Sequence, residues 1–283
     1  MRQVLETKME SRRSNEKRGL KLVKLFALRL GHCEHSCCFC AQSTKTDPAH
    51  MPVRALASEE EIKSAIDQAV RGGASEILYA TSGGGISSAE HFKTVKIATE
   101  LASASGLEVA VDCGYLSEQQ LNELKFAGAT TYVNSVQTAR ELFPAYCGSH
   151  NYDAKVECLA SARSMGYRSR TGGVLGMGES PAHRRSFFEE LNRLPCDEIS
   201  VSLFQPMPGT SLAGQAKMSS SDAVSAILEL RSVTEKPIYL LGGREQVLRP
   251  QDVDVALRAL DGTTVGDYLF TQGEPIDQLA SRL

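Results

Sequence analysis

Short apolar runs alternate with helical patterns along almost the whole chain, and this alternation limits the folds that the sequence can adopt. Eight runs rich in apolar and β-branched residues are typical of strands. They cover residues 23–30, 76–82, 107–113, 130–136, 167–177, 198–206, 237–243 and 262–267. The segments between them carry helix-start signals, such as the capping box formed by Ser117 and Gln120. Glycines such as Gly106 and Gly128 end a helix before the next strand.

Repeated strand–helix units of this kind predict a closed parallel (β/α)8 barrel of the TIM type, an α/β fold, formed as a single domain. An open, doubly wound sheet has the same alternation and is the alternative. We expect the barrel to span residues 21–283 and residues 1–20 to form an N-terminal extension. In a parallel barrel the catalytic groups lie at the carboxyl ends of the strands, so residues that directly follow a strand are candidates for the site.

Composition and charge exclude several classes of function. The chain has 283 residues, of which 42% are hydrophobic and 23% charged, so it can bury a core and is not disordered. A net charge of −3 gives no sign of a nucleic-acid partner or an anionic membrane surface. The basic segment 1–24 lacks the apolar core of a signal peptide, and no apolar run is long enough to span a membrane. We therefore expect a cytoplasmic protein.

The cysteines are distributed unevenly, and three of them lie directly after the first predicted strand. Cys33, Cys37 and Cys40 have the spacing C-x3-C-x2-C. Three thiolates in one loop can bind three irons of a cubane 4Fe–4S cluster and leave the fourth iron open. The open iron can chelate S-adenosylmethionine (SAM), and an electron from the cluster can then cleave SAM to a 5′-deoxyadenosyl radical. A structural zinc site on the same cysteines with His32 or His35 is the alternative.

An aromatic residue, Phe39, precedes the last of these cysteines, and C-x3-C-x-F-C resembles the signature of the radical SAM superfamily. Within that superfamily, the residues 41–43 (Ala-Gln-Ser) and the stretches 171–179 and 265–273 are similar to those of biotin synthases. The resemblance implies a barrel that holds a 4Fe–4S cluster on the three cysteines, cleaves SAM and acts on a small molecule. It also implies a homodimer and electron delivery by a flavodoxin or ferredoxin.

The same resemblance implies which residues contact SAM. The aromatic ring would pack beside the adenine, the second strand end would receive the amino group, the fourth strand would bind the ribose, and a glycine-rich fifth strand would pass the adenosyl moiety. The residues at these positions are Phe39, Gly83, Gly84, Ser135, Gln137, Gly172, Val174 and Gly176. For the glycines, an ordinary turn or close packing of strands is the alternative explanation.

The chain departs from typical biotin synthases at a second cluster. In that family a 2Fe–2S cluster, held by three cysteines and an arginine inside the barrel, is regarded as the sulfur donor that converts dethiobiotin to biotin. The matching positions carry Ala80 or Thr81, Ala110, Arg170 and Tyr239. Three asparagines that commonly meet the ureido ring of dethiobiotin are matched by Val133, Ser135 and Ser202.

Two explanations are compatible with these changes. In the first, the enzyme still forms biotin and takes sulfur from a different auxiliary Fe–S cluster held by Cys113 and Cys147, which with Cys38 are the other thiols expected near the active face. In the second, the radical acts on another small carboxylate substrate without sulfur insertion, and Arg170, Ser202 and Tyr239 bind that substrate. Incidental buried cysteines and a space-filling arginine are the alternatives for these residues. We favour the first explanation because the overall likeness is to biotin synthases.

Overall fold

Eight parallel strands in sequential order form a closed barrel in the computed structural model, which describes residues 19–86, 88–269, 271–275 and 278–279. The strands are β1 (Lys21–Arg29), β2 (Glu76–Thr81), β3 (Glu108–Asp112), β4 (Thr131–Val133), β5 (Arg168–Leu175), β6 (Glu198–Leu203), β7 (Ile238–Gly242) and β8 (Gly262–Val265). The predicted (β/α)8 barrel is confirmed. All but two residues of the predicted N-terminal extension lie outside the described residues.

Helices follow the strands and surround the barrel. In the described part of the chain they are α1 (Glu59–Arg71), α2 (Ala89–Ala104), α3 (Glu118–Phe126), α4 (Phe143–Tyr146), α5 (Tyr152–Ser164), α6 (Pro181–Arg193), α7 (Ser220–Val233), α8 (Arg244–Val247) and α9 (Pro250–Leu257). The capping box predicted at the start of α3 is present, because Ser117 Oγ accepts from the Gln120 N–H while Gln120 Oε1 accepts from the Ser117 N–H. None of these helices is long and apolar enough to cross a membrane.

Strand β4 is shorter than the predicted run 130–136 for a physical reason. After Val133 the chain leaves the regular ladder, although Asn134 still donates its N–H to the Arg170 carbonyl at 3.1 Å. Gln137 has a φ of 70°, which is uncommon for a residue with a side chain. Its N–H donates to the Gly172 carbonyl and its carbonyl accepts from the Val174 N–H, both at 2.8 Å. Strand β5 therefore holds this irregular segment at the carboxyl end of the barrel.

The alternation of side chains divides the hydrophobic core into two parts. Inside the barrel, the inner core consists of Val23, Leu25, Leu78, Ala110, Val133, Tyr239 and Leu241. Between the strands and the helices, a larger outer shell contains neighbouring residues on the same strands, such as Ile77 and Tyr79 on β2. The phase of each strand thus decides which residues face the interior of the barrel and which face the helices.

Candidate active site

The segment 33–40 that carries the three clustered cysteines, here called the cysteine loop, follows β1 at the carboxyl end of the barrel. Gln42 holds its base, since the Gln42 backbone carbonyl accepts from the Cys33 N–H at 3.1 Å and its side-chain oxygen accepts from the Gly31 N–H at 2.8 Å. The N–H of Cys40 donates to the carbonyl of Cys37 at 3.3 Å. All three thiols are free. The loop is a preformed turn that presents three unpaired thiols.

Burial and neighbouring groups give the three thiols different acidities. Desolvation raises the pKa of Cys33 and raises that of Cys40 to about 12. A hydrogen bond with the buried thiol of Cys147 lowers the pKa of Cys37, and His150 acts in the same direction. Thiolates are the form that ligates iron, and a bound cation deprotonates a coordinating thiol.

The donor atoms of the cysteine loop have the chemistry that an iron–sulfur cluster needs. As the side chains stand, no group of three or more His, Cys, Asp or Glu in the described ranges is arranged to hold a metal ion. Three free thiols on one loop suit a cubane, which binds each thiolate at a different corner.

A cavity of about 240 Å³ opens at the carboxyl ends of the strands beside the cysteine loop. Its wall is largely apolar and includes Leu25, Leu78 and Leu241 from the inner core. Six of the predicted site residues line it: Phe39, Cys40, Ser135, Gln137, Val174 and Ser202. The structure therefore brings the cysteine loop together with the predicted ribose-binding positions and one predicted substrate position.

The glycines at the end of β2 pack against the cysteine loop and do not line the cavity. The N–H of Gly84 donates to Glu34 Oε1 at 2.8 Å, and the backbone of Gly83 acts to lower the pKa of the Cys33 thiol. A Cβ atom at position 84 would collide with the imidazole of His35. These glycines allow two loops to approach closely, and their contact with SAM stays a prediction.

On β5, the glycine that lines the cavity is Gly173, between the predicted positions Gly172 and Val174. A Cβ atom on Gly172 would collide with the backbone of Ser200 on β6, so close strand packing explains that glycine. Gly176 has a φ of +93° and donates its N–H to Glu179 Oε1 at 2.8 Å. It belongs to the turn after the strand and lies outside the cavity wall.

Replacing Gly173 with alanine should distort the cavity wall. The new Cβ would collide with the backbone of Gln137, the residue paired with Gly173. We expect a loss of about 1–3 kcal/mol in the free energy of unfolding, together with weaker SAM binding, measured by urea denaturation and calorimetry. Gly214→Ala is the matched control, because its Cβ would meet nothing within 4 Å. Equal stability of the two variants would contradict the assignment of Gly173 as a packing constraint.

The structure does not place Arg170 and Tyr239, the predicted substrate contacts, on the cavity wall. Both residues lie below the cavity in a buried cluster with Glu76 and Glu198, here called the barrel floor. Arg170 donates from Nη1 and Nη2 to the two carboxylate oxygens of Glu76 at 2.7 and 2.8 Å, and from Nε to Glu198 at 2.8 Å. Its guanidinium carbon lies 3.9 Å from the ring centroid of Tyr239. The guanidinium is saturated by protein partners, which leaves no free edge for a substrate carboxylate.

Cys113 and Cys147, the predicted ligands of an auxiliary cluster, also lie outside the cavity wall. Both thiols are fully buried in the outer shell, and neither lines the cavity. Cys113 points towards the helices because it follows the inward-facing Asp112. Cys147 instead hydrogen bonds to the thiol of Cys37 in the cysteine loop. The structure does not bring this pair of cysteines together as ligands on the cavity wall.

Asp112 is a cavity residue that the sequence interpretation did not single out. It ends β3, lies opposite Ala80 of β2 in the ladder, and lines the cavity beside that residue. Burial raises the pKa of its carboxyl to about 6, although Lys155 and Arg170 act to lower it. The alternation of side chains along β3 could have identified Asp112 from the sequence. Ala110 faces the inner core, and the residue two positions later on a strand faces the same side.

Comparison with known proteins agrees with this architecture. The family model of the radical SAM superfamily matches residues 29–191, more than half of the chain. The chain belongs to the radical SAM superfamily. A second family model, the Biotin and Thiamin Synthesis associated domain, matches residues 200–283. Members of the superfamily use a 4Fe–4S cluster and SAM, act on small molecules and need an electron donor, so the predicted radical SAM enzyme with a 4Fe–4S cluster and SAM is confirmed, while the auxiliary cluster stays a prediction.

Curated relatives of this radical SAM protein are similar over most of its length. A biotin synthase of Syntrophus aciditrophicus is 32% identical over 270 residues, which cover 94% of this chain and 82% of the relative. A biotin synthase of Geobacter sulfurreducens is 30% identical over 262 residues, covering 92% and 79%. The chain is therefore biotin synthase-like. A homodimer, a flavodoxin or ferredoxin as the donor, and a cytoplasmic location stay predictions.

Solved structures share the fold at low sequence identity. Methylornithine synthase superposes with a TM-score of 0.80 at 18% identity, covering 97% of this chain and 80% of that protein. HydG, a maturase of the [FeFe]-hydrogenase, superposes with a TM-score of 0.73 at 15% identity, covering 96% and 64%. These similarities support the barrel architecture.

Proposed function

We propose that this radical SAM enzyme inserts sulfur into dethiobiotin and that the sulfur donor is a non-standard auxiliary Fe–S cluster. The observation that carries the proposal is the cysteine loop, which contributes Phe39 and Cys40 to the wall of the cavity in a chain related to biotin synthases along most of its length. The loop supplies the position for radical generation, and the cavity supplies the space for a small substrate.

In this proposal Cys33, Cys37 and Cys40 hold the 4Fe–4S cluster, which when bound supplies the electron for reductive cleavage of SAM. Gln42 orients the loop through its two hydrogen bonds to the backbone. The ring of Phe39 forms the wall against which the adenine packs.

The other wall residues have separate tasks. Ser135 and Gln137 offer a hydroxyl and an amide to the ribose of SAM, beside Val174 of β5. The apolar wall, including Leu25 and Leu241, excludes water, which limits side reactions of a radical.

The proposed sulfur donor differs from a barrel-bound 2Fe–2S cluster because the barrel floor fills that layer. Arg170 and Tyr239 stack there, and Ala110 offers no ligand atom. Near the cysteine loop, the described thiols other than the three proposed ligands include Cys38, which is half-buried, and Cys147, which is buried against Cys37. These two thiols are the candidates for the auxiliary cluster.

One observation favours a second function, a radical reaction without sulfur insertion. The barrel floor is occupied by paired charges, and Cys113 faces the outer shell. An enzyme with only the first cluster could rearrange or dehydrogenate a small molecule in the same cavity.

Anaerobic reconstitution separates the two functions. We expect more than the roughly four irons per chain of one cubane, and biotin formation from dethiobiotin with SAM and a chemical reductant. The measurements are iron and sulfide content, and chromatography of biotin and 5′-deoxyadenosine. About four irons per chain, with 5′-deoxyadenosine but no biotin, would reject sulfur insertion and favour the second function. A protein that forms no 5′-deoxyadenosine would contradict both.

A further inference from the structure

The cavity wall contains one carboxylate and no basic side chain among the described residues. Asp112 is that carboxylate, and Lys, Arg and His are absent from the described lining. The wall around it is mainly apolar, with Leu78 and Ala80 from the neighbouring strand. An acidic group in such a setting favours a ligand that brings hydrogen-bond donors or a positive charge.

Lys155 and Arg170, the two cations that interact electrostatically with Asp112, are already hydrogen-bonded to other residues. Lys155 donates from Nζ to Asn134 Oδ1 at 2.8 Å, and Arg170 is saturated in the barrel floor. No hydrogen bond from a described residue reaches the Asp112 carboxylate. Asp112 is half-buried and belongs to the cavity lining, so its acceptor positions are available to a bound ligand.

Two further polar groups in the same wall have no partner. Ser200 is 3% exposed, and its buried hydroxyl makes no hydrogen bond. The buried Nε2 of Gln205 also lacks an acceptor. Both residues line the cavity with Asp112. Buried polar groups are usually satisfied, so these three point to a ligand with complementary donors and acceptors.

We propose that Asp112, Ser200 and Gln205 form a subsite that binds a group bearing N–H donors, with Asp112 as its specificity-determining residue. A carboxylate only accepts, so the ligand must donate to it, whereas the amide of Gln205 and the hydroxyl of Ser200 can donate to a ligand oxygen. A cyclic urea has both features, two N–H donors beside one carbonyl. The inference deepens the proposed function: the ureido ring of dethiobiotin is bound at this subsite.

Substrate binding to the unreduced holoenzyme with SAM tests the subsite without turnover. Titration calorimetry with dethiobiotin should show binding at least tenfold weaker for Asp112→Asn than for the unchanged protein, with SAM affinity unaltered. Asp267→Asn is the control, because Asp267 is exposed and outside the cavity wall. Equal affinity of the Asp112→Asn variant and the unchanged protein for dethiobiotin would overturn the subsite while leaving the proposed function intact.

A pH series on the unchanged protein supports the same test without a variant. The Asp112 carboxyl has its pKa raised to about 6, so dethiobiotin affinity should fall as the pH is lowered from 8 to 5. The charged and titratable groups coupled to it from the surrounding elements are Lys155, Arg170, Cys113, Tyr132 and Tyr268. Affinity that is constant across this range would count against the carboxylate as the acceptor.

A hexylamine titration distinguishes failure of the subsite from failure of the proposed function. If the holoenzyme does not bind dethiobiotin, that substrate assignment is wrong, and the amine then probes whether Asp112 recognises N–H donors of another kind. Tighter amine binding by the unchanged protein than by Asp112→Asn would support the subsite with an ammonium ligand. Equal or absent binding of hexylamine would reject it.

Discussion

Simultaneous replacement of Cys33, Cys37 and Cys40 with alanine is expected to abolish SAM cleavage. Each of the three thiols is free and belongs to the loop beside the cavity. Removal of all three leaves the first cluster without protein ligands. The loss should exceed the roughly 10–100-fold effect of changing an outer-shell partner of a metal ligand. Formation of 5′-deoxyadenosine by the reduced protein measures this loss directly.

The iron content of the same variant tests the auxiliary cluster. Iron and sulfide that persist in the triple variant would belong to a second site, and their absence would count against one. Cys158→Ala is the matched control, since Cys158 is a half-buried cysteine of α5 outside the cavity wall. This control should keep its iron and its SAM cleavage. A triple variant that still forms 5′-deoxyadenosine would show that the cluster ligands are assigned wrongly.

Arg170→Ala should destabilise the barrel by about 3–5 kcal/mol, because it removes the buried cation that Glu76 and Glu198 share, leaving Glu198 only the longer contact with Arg168 at 3.6 Å. Urea denaturation gives the free energy of unfolding. The matched control is Arg168→Ala on the same strand, whose side chain is 38% exposed. Its ion pair with the half-buried Glu108 is more solvated, and its contact with Glu198 is long at 3.6 Å, so the change should cost only about 0–1 kcal/mol.

Neutralising the carboxylates of the barrel floor separates the effect of charge on stability from the effect of packing. Adding Glu76→Gln and Glu198→Gln to Arg170→Met should recover much of the lost stability, since the remaining side chains carry no charge into the interior. If the variant with Glu76→Gln, Glu198→Gln and Arg170→Met is as unstable as Arg170→Ala, the loss of stability comes from packing and not from charge. A single Arg170→Ala variant no less stable than Arg168→Ala would contradict a structural role for the ion pairs.

Signals within short segments of the sequence predicted much of the fold. The capping box of Ser117 and Gln120 depends on residues three positions apart, and it forms as expected. The apolar runs were likewise sufficient to locate the strands, except at β4, which ends early and is followed by a segment with an unusual φ at Gln137. That deviation depends on hydrogen bonds to β5, which no pattern within the run 130–136 reveals.

The site was predictable where one short segment contains the chemistry, as in the spacing of Cys33, Cys37 and Cys40. It was not predictable where the environment decides the role of a residue. The residues around Arg170 in the sequence do not tell whether it binds a substrate or an internal carboxylate. Its partners Glu76 and Glu198 lie 94 and 28 residues away along the chain. Closure of the barrel brings these residues together.

The amino-acid sequence by itself therefore determined the barrel and the cysteine loop, because alternation, helix caps and thiol spacing act over a few residues. Only the tertiary structure decided that Cys113 faces the outer shell while Asp112 faces the cavity. Adjacent strand residues point to opposite sides, and which side is the interior depends on how all eight strands close.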